Sequence, residues 1–152
     1  MKKLFIAFCL VTGSFNVFSQ TCEQREDKLL SAFGSFSAAT LYNTYGVIGG
    51  IADGYAHDAY DVQTVNDLLD AQKKLADNLL KVLTDLKNDG ALKDKADQDY
   101  SVSAIDILKG LKRQVQFFQD YIKNNNRQEK DDYEQQRKKN WKDISKLMGI
   151  EE

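Results

Sequence analysis

VQTVNDLLDAQKKLADNLLKVLTDL, residues 62–86, carries the clearest periodicity in the chain. Val65, Leu68, Gln72, Leu75, Leu79, Val82 and Leu86 recur at alternating intervals of three and four residues, the spacing of one helix face. Only Gln72 interrupts this apolar seam. Leu69, Ala76 and Leu83 form a second row beside it, which makes the face broad enough for a bundle rather than a two-stranded coil. Asn88-Asp89-Gly90 then supplies a glycine stop, so a helix is predicted over 58–88.

Toward the C-terminus, Ala91 to Asp99 is small or charged and reads as a connecting loop. Ser101 or Ser103 is the expected cap of the next helix, with Asp106 completing an acidic capping box after Ser103. Ala104, Leu108, Leu111, Val115, Phe118 and Ile122 give that helix its buried face and predict it over 101–124. Asn124-Asn125-Asn126 is a poor helix stretch and the expected turn. A last helix follows over 127–148. Tyr133 is its only apolar residue before Trp141, Ile144, Leu147 and Met148, so docking through the C-terminal half alone is expected.

Toward the N-terminus, no charge occurs over the 24 residues from Leu29 to Ala52. The stretch is long enough to cross a membrane. Ser31, Ser35, Ser37, Thr40, Asn43 and Thr44 weaken insertion, and the expectation is a central helix over 24–54, buried on most sides by the other three. Gly46, Gly50 and Gly54 recur at every fourth residue. Each costs about 1 kcal/mol against alanine in a helix, and close approach of a neighbouring backbone, within the bundle or from a second copy, would offset that. Gly49-Gly50 is a further candidate for a kink.

The 152 residues suit one domain, and 42% hydrophobic with 29% charged residues excludes both a disordered tail and a multi-pass membrane protein. Proline is absent, where average usage would supply roughly eight, which favours long uninterrupted helices. The 21 basic and 23 acidic residues remove the usual electrostatic argument for nucleic-acid binding. Residues 53–106 hold twelve Asp and six Lys, whereas residues 123–142 hold seven basic and four acidic residues. Arg137, Lys138, Lys139 and Lys142 are therefore either a face that balances the acidic hairpin or a contact patch for an acidic partner or membrane surface.

Lys2 and Lys3, the apolar run Leu4 to Val11 and the small or polar stretch ending Val17-Phe18-Ser19 have the three-part layout of a secretory signal. Cleavage after Ser19 is expected, with residues 1–19 removed and 20–152 forming a single domain. The paired lysines resemble bacterial signals. Cys22 would then be the one cysteine left, which excludes an internal disulfide. It reads as a free thiol, a disulfide to another chain or an acylation site. For acylation, Gln20 and Thr21 match a lipoprotein box poorly.

Chemistry-bearing patterns are few. Asp53, His57 and Asp61 lie four residues apart and would share a face if one helix continued through them, half of a metal site. With a single His in the chain, an ion-pair ladder is the simpler reading and no cofactor is expected. Asp97-x-Asp99-x-Ser101 has Val102 where a calcium loop needs glycine and Leu108 where it needs glutamate. No nucleophile elbow occurs, and Gly46-Val47-Ile48-Gly49-Gly50 matches no phosphate-binding loop.

The expectation is an all-α protein, an antiparallel bundle of about four helices behind a cleaved signal. Its expected role is a non-catalytic interaction or structural module, periplasmic or secreted, working through a protein partner or self-association. Two alternatives remain at this point: a membrane-active protein that inserts its uncharged first helix, and a small-ligand or metal carrier.

Overall fold

The computed structural model describes residues 21–150, so the expected signal and its cleavage site lie outside the described residues. Four helices make up the fold: α1 (Cys22–Ala56), α2 (Val62–Asn88), α3 (Lys95–Asn124) and α4 (Arg127–Met148). No strand occurs among the described residues. Side-chain pairs between neighbours step in opposite directions along the chain. Asp70 meets Gln119, Lys73 meets Gln116 and Asp77 meets Lys112 between α2 and α3, while Gln114 meets Asn140 and Phe118 meets Tyr133 between α3 and α4. The bundle is therefore antiparallel.

α3 is the central helix. Like α1 it packs on all three others, but it carries more of the buried residues, whereas α2 and α4 do not meet among the described residues. Ala104, Leu108, Leu111, Val115 and Phe118 run along its buried side, facing Leu41 and Ile48 of α1, Val65 and Leu69 of α2, and Tyr133 and Ile144 of α4. This corrects the expectation that α1 is the central helix, buried on most sides by the rest. α1 packs on α2, α3 and α4 through one arc, that of Leu41, Thr44, Ile48 and Ile51, and its opposite side is open.

Helix ends follow local chemistry. Thr21 forms a capping box with Gln24 at the start of α1. Asn125 takes the left-handed conformation (φ 49°) that ends α3, and Asn126 then accepts the Gln128 N–H to open α4. Gly149 closes α4 at φ 66°, with the Ile150 N–H returning to the Ser145 carbonyl.

Two boundaries and one docking face differ from the sequence-based reading. α3 begins at Lys95, behind Asp94, and not at a serine cap; Ser101 is a buried interior residue, and Ser103 donates to the Asp99 carbonyl at 2.9 Å. Lys95 to Asp99 lack an apolar period, but they are acceptable helix formers, and the Lys95–Asp99 ion pair spans one turn. α2 begins at Val62 rather than 58 because α1 ends at Ala56 and the chain reverses through Asp58 (φ 56°). α4 docks along both halves, since Tyr133 is buried against Phe118 with ring centroids 4.8 Å apart.

Candidate functional site

α1 continues without a break through Gly49-Gly50, and its open side is a regular stripe. Leu29, Ala32, Phe36, Ala39, Asn43, Gly46 and Gly50 alternate by three and four residues, and all are exposed. Phe36 is 75% accessible and Leu29 69%, values unusual for large apolar side chains on a folded helix.

The α1 residues on both flanks of this stripe are uncharged. On one side α1 packs on α4 through Tyr45, whose ring stacks on Trp141 at 5.7 Å, and through Gly49, against which the Arg137 guanidinium rests. Tyr42 and Trp141, themselves 47% and 41% accessible, carry the surface outward there. At 3.6 residues per turn Phe36 and Val47 fall on the opposite flank, toward α2. α2 meets α3 through Asn66, Asp70, Lys73 and Asp77, so Leu68, Leu75 and Val82 lie on its α1 side, and all three are partly open. The predicted α2 seam is thus partly rolled outward: its Val65 is buried and its Leu79 half-buried, and Leu69, Ala76 and Leu83 of the second row complete the buried face. Among the described residues α2 touches only α1 and α3, so the middle of its apolar face points between them and one edge is left to solvent.

The glycines of the sequence pattern divide. A Cβ built on Gly46 or Gly50 meets nothing within 4 Å among the described residues, so no backbone of this chain closes on either. Gly54 is used locally. The Tyr60 ring folds over it, its carbonyl accepts the N–H groups of Ala59 and Tyr60, and an added Cβ would collide with that ring. The close helix contact falls instead at Gly110 of α3, where Asn140 of α4 lies directly over the backbone. Gly110 stood alone in its sequence, without a repeat to mark it.

Arg137, Lys138, Lys139 and Lys142 do not present one face. Arg137 turns inward to Gly49 and lies 3.9 Å from Glu134, and Lys139 pairs with Asp143 at 2.5 Å. Lys138 and Lys142 are exposed at the Trp141 edge. Cys22 is the first residue of α1. Cleavage immediately before it, as acylation requires, would remove Thr21 and with it the capping box.

Asp53, His57 and Asp61 do not share a helix face, which corrects that expectation. His57 caps the end of α1 with Nδ1 2.8 Å from the Asp53 carbonyl, and Asp61 caps the start of α2 by accepting the Thr64 N–H at 2.7 Å. That backbone hydrogen bond holds the Asp61 carboxyl below the usual carboxylate range. Among the described residues no cluster of three His, Cys, Asp or Glu side chains could hold a metal ion, and no helix is long and apolar enough to cross a membrane.

Polar contacts in the interior pin the helices. The Tyr100 hydroxyl donates to the Gly34 carbonyl at 2.7 Å and lies 2.5 Å from Ser37 Oγ, tying α3 to α1; its burial raises the Tyr100 pKa. Asn140 donates to Gln114 Oε1 at 2.8 Å and accepts from Gln136 at 2.8 Å. Beside Tyr100 a cavity of about 290 Å³ is lined by Leu30, Phe33, Leu83 and Leu92, and one of about 240 Å³ lies among Tyr55, Phe118, Tyr121 and Tyr133. The first stands at the lower edge of the usual range of roughly 300–1,000 Å³ for small-molecule sites and the second below it, while an open cleft of about 470 Å³ between α3 and α4, lined by Asp106, Lys139 and Asp143, falls inside it.

Comparison of the chain with protein families, with curated proteins and with solved structures finds no match. The site must therefore be read from its own chemistry.

Proposed function

We propose that the protein is an exported, non-catalytic helical module that works by contact with another protein, through the uncharged outer side of α1 and the adjoining flank of α2. The observation that carries this reading is the exposure of Phe36 and Leu29 within a face that also holds Val47, Leu68, Leu75 and Val82. Contiguous apolar surface of this kind on a folded domain marks an interaction site, since leaving it in water is unfavourable by about 25 cal/mol per Å². Export follows from the layout of residues 1–19 and would place the domain in a periplasm or outside the cell.

The test is a photo-reactive amino acid at position 36, expressed in the protein's own host. Protein adducts at 36 and none from the same group at Lys109, on the exposed side of α3, support the reading; equal yields at both positions reject it. Fractionation and intact mass check export, with a chain beginning at Gln20 expected.

A second reading, attachment to a membrane surface, draws on Tyr42 and Trp141 beside Lys138 and Lys142, an aromatic and basic edge of the kind that sits at a lipid headgroup layer. Flotation with anionic vesicles that disappears at high salt would support it, and flotation that persists in salt would point to insertion of apolar surface instead.

A further inference from the structure

We propose that the outer face of α1 pairs with the same face of a second copy of this chain, the two α1 helices running antiparallel. This rests on the interaction reading above and names its partner.

The first argument is shape. Phe36 is the largest exposed knob on the stripe, and one heptad further along the same stripe Asn43, Gly46, Val47 and Gly50 form a four-residue hole. Two of the four walls are glycine, with nothing within 4 Å of where their Cβ atoms would stand. A two-fold axis at the level of residue 41 carries Phe36 of each copy into the hole of the other and sets Ala39 opposite Asn43. The small Ala39 at the axis allows close approach of the helices. A parallel pair would stack Phe36 on Phe36 and leave both holes empty.

Charge supplies the second argument. Leu29 to Ala52 holds no charged residue, and Leu68, Leu75 and Val82 continue the strip without one. Along α1 and these three α2 residues a copy laid on this face brings no like charge against like, and the exposed Lys138 and Lys142 stand at its Trp141 edge. A strongly charged partner would find no counter-charge along α1 itself.

Area is the third. Leu29 to Gly50 rises roughly 32 Å along the helix axis. With the flank of α2 the strip is about 20 Å wide, so on the order of 600 Å² per copy can be covered, approaching the roughly 800 Å² per partner of a standard interface. The two glycines that weaken α1 as a helix then have a use that nothing among the described residues gives them.

The protein purified from its own host, kept in reductant so that Cys22 cannot link chains, is examined by sedimentation velocity over a series of micromolar concentrations. A monomer–dimer equilibrium is expected. Gly50→Leu fills the hole, its Cβ meeting nothing within 4 Å among the described residues, and is expected to weaken the dimer on the order of tenfold to a hundredfold at unchanged helical circular dichroism. Phe36→Ala should do the same, so that loss of folding in one variant does not decide the matter. A photo-reactive group at 36 in the purified dimer is expected to attach within residues 43–50 of the second copy. A monomer at every concentration, a dimer indifferent to both substitutions, or attachment of 36 to 36 overturns the proposal. Adducts at 36 to a different protein, with the pure chain monomeric, overturn the second copy and leave the interaction reading standing. Adducts to lipid alone, or none, remove both.

Discussion

Asn140 of α4 lies over the bare backbone of Gly110 on α3, so close that a methyl group at 110 would collide with its amide oxygen. From there it donates to Gln114 and accepts from Gln136, and it is almost fully buried. Gly110→Ala gains about 1 kcal/mol of helix propensity but forces this side chain aside, at a cost of about 1–3 kcal/mol for overpacking and more for the broken amide bond. We expect net destabilisation of about 1–2 kcal/mol in urea unfolding, the reverse of what glycine-to-alanine does on an open helix. An unchanged midpoint would show that α4 shifts freely to make room.

Gly46 and Gly50 are the opposite case. Each points into open space, so alanine relieves backbone entropy without contact. The double substitution is expected to raise stability by about 1–2 kcal/mol when measured on dilute protein. If unfolding shows no gain, α1 is not regular at these residues.

Tyr133 makes the stability of the fold sensitive to alkali. Burial pushes its hydroxyl up to about 12, partly opposed by the charge of Arg137 and by the nearby Gln114 amide, although the hydroxyl has no hydrogen-bond partner among the described residues. Because the folded pKa lies above the unfolded value near 10, the contribution is fully present below about pH 10 and is lost as pH rises toward 12, roughly 2 kcal/mol in all. Tyr133→Phe should remove most of this alkaline loss and leave the smaller part that belongs to Tyr100, whose pKa burial also raises. Superimposable pH profiles for the wild type and the variant would mean that Tyr133 does not report burial.

Asp61 acts at the other end of the pH scale. Its carboxylate caps α2, and the bond to Thr64 lowers its pKa, so the cap contributes above the ordinary aspartate range and is lost as pH falls through the depressed value. Asp61→Asn should keep the cap and flatten the fall in melting temperature between about pH 5 and 2. Asp61→Ala should lower the melting temperature already at neutral pH. Identical acid profiles for Asp61→Asn and the wild type would remove Asp61 as a source of acid lability.

The outer face of α1 was open to sequence reasoning, because the spacing of Leu29, Ala32, Phe36, Ala39 and Asn43 is visible in the chain. Two things hid it. The 24 uncharged residues read equally as buried, and every-fourth glycine drew attention to Gly54, which serves a local turn. Trp141 could be placed on α4 but not against Tyr45, since that meeting joins residues 96 positions apart.

What the sequence determined by itself is local. The helical period of α2, the end of α3 at the Asn124–Asn126 turn and the close of α4 at Gly149 follow from spacing, left-handed conformers and capping groups that act within a few residues. The absence of proline agrees with helices of 22 to 35 residues. Only tertiary structure decided which side of each helix is covered. α2 carries two apolar rows and can bury either; the choice of Leu69, Ala76 and Leu83 came from its having two neighbours, α1 and α3, and none in α4. α3 rather than α1 carries most of the core because its Leu108, Leu111 and Val115 are enclosed fully, whereas α1 meets its three neighbours through the single arc of Leu41, Thr44, Ile48 and Ile51. The side left over is the face where a partner is proposed.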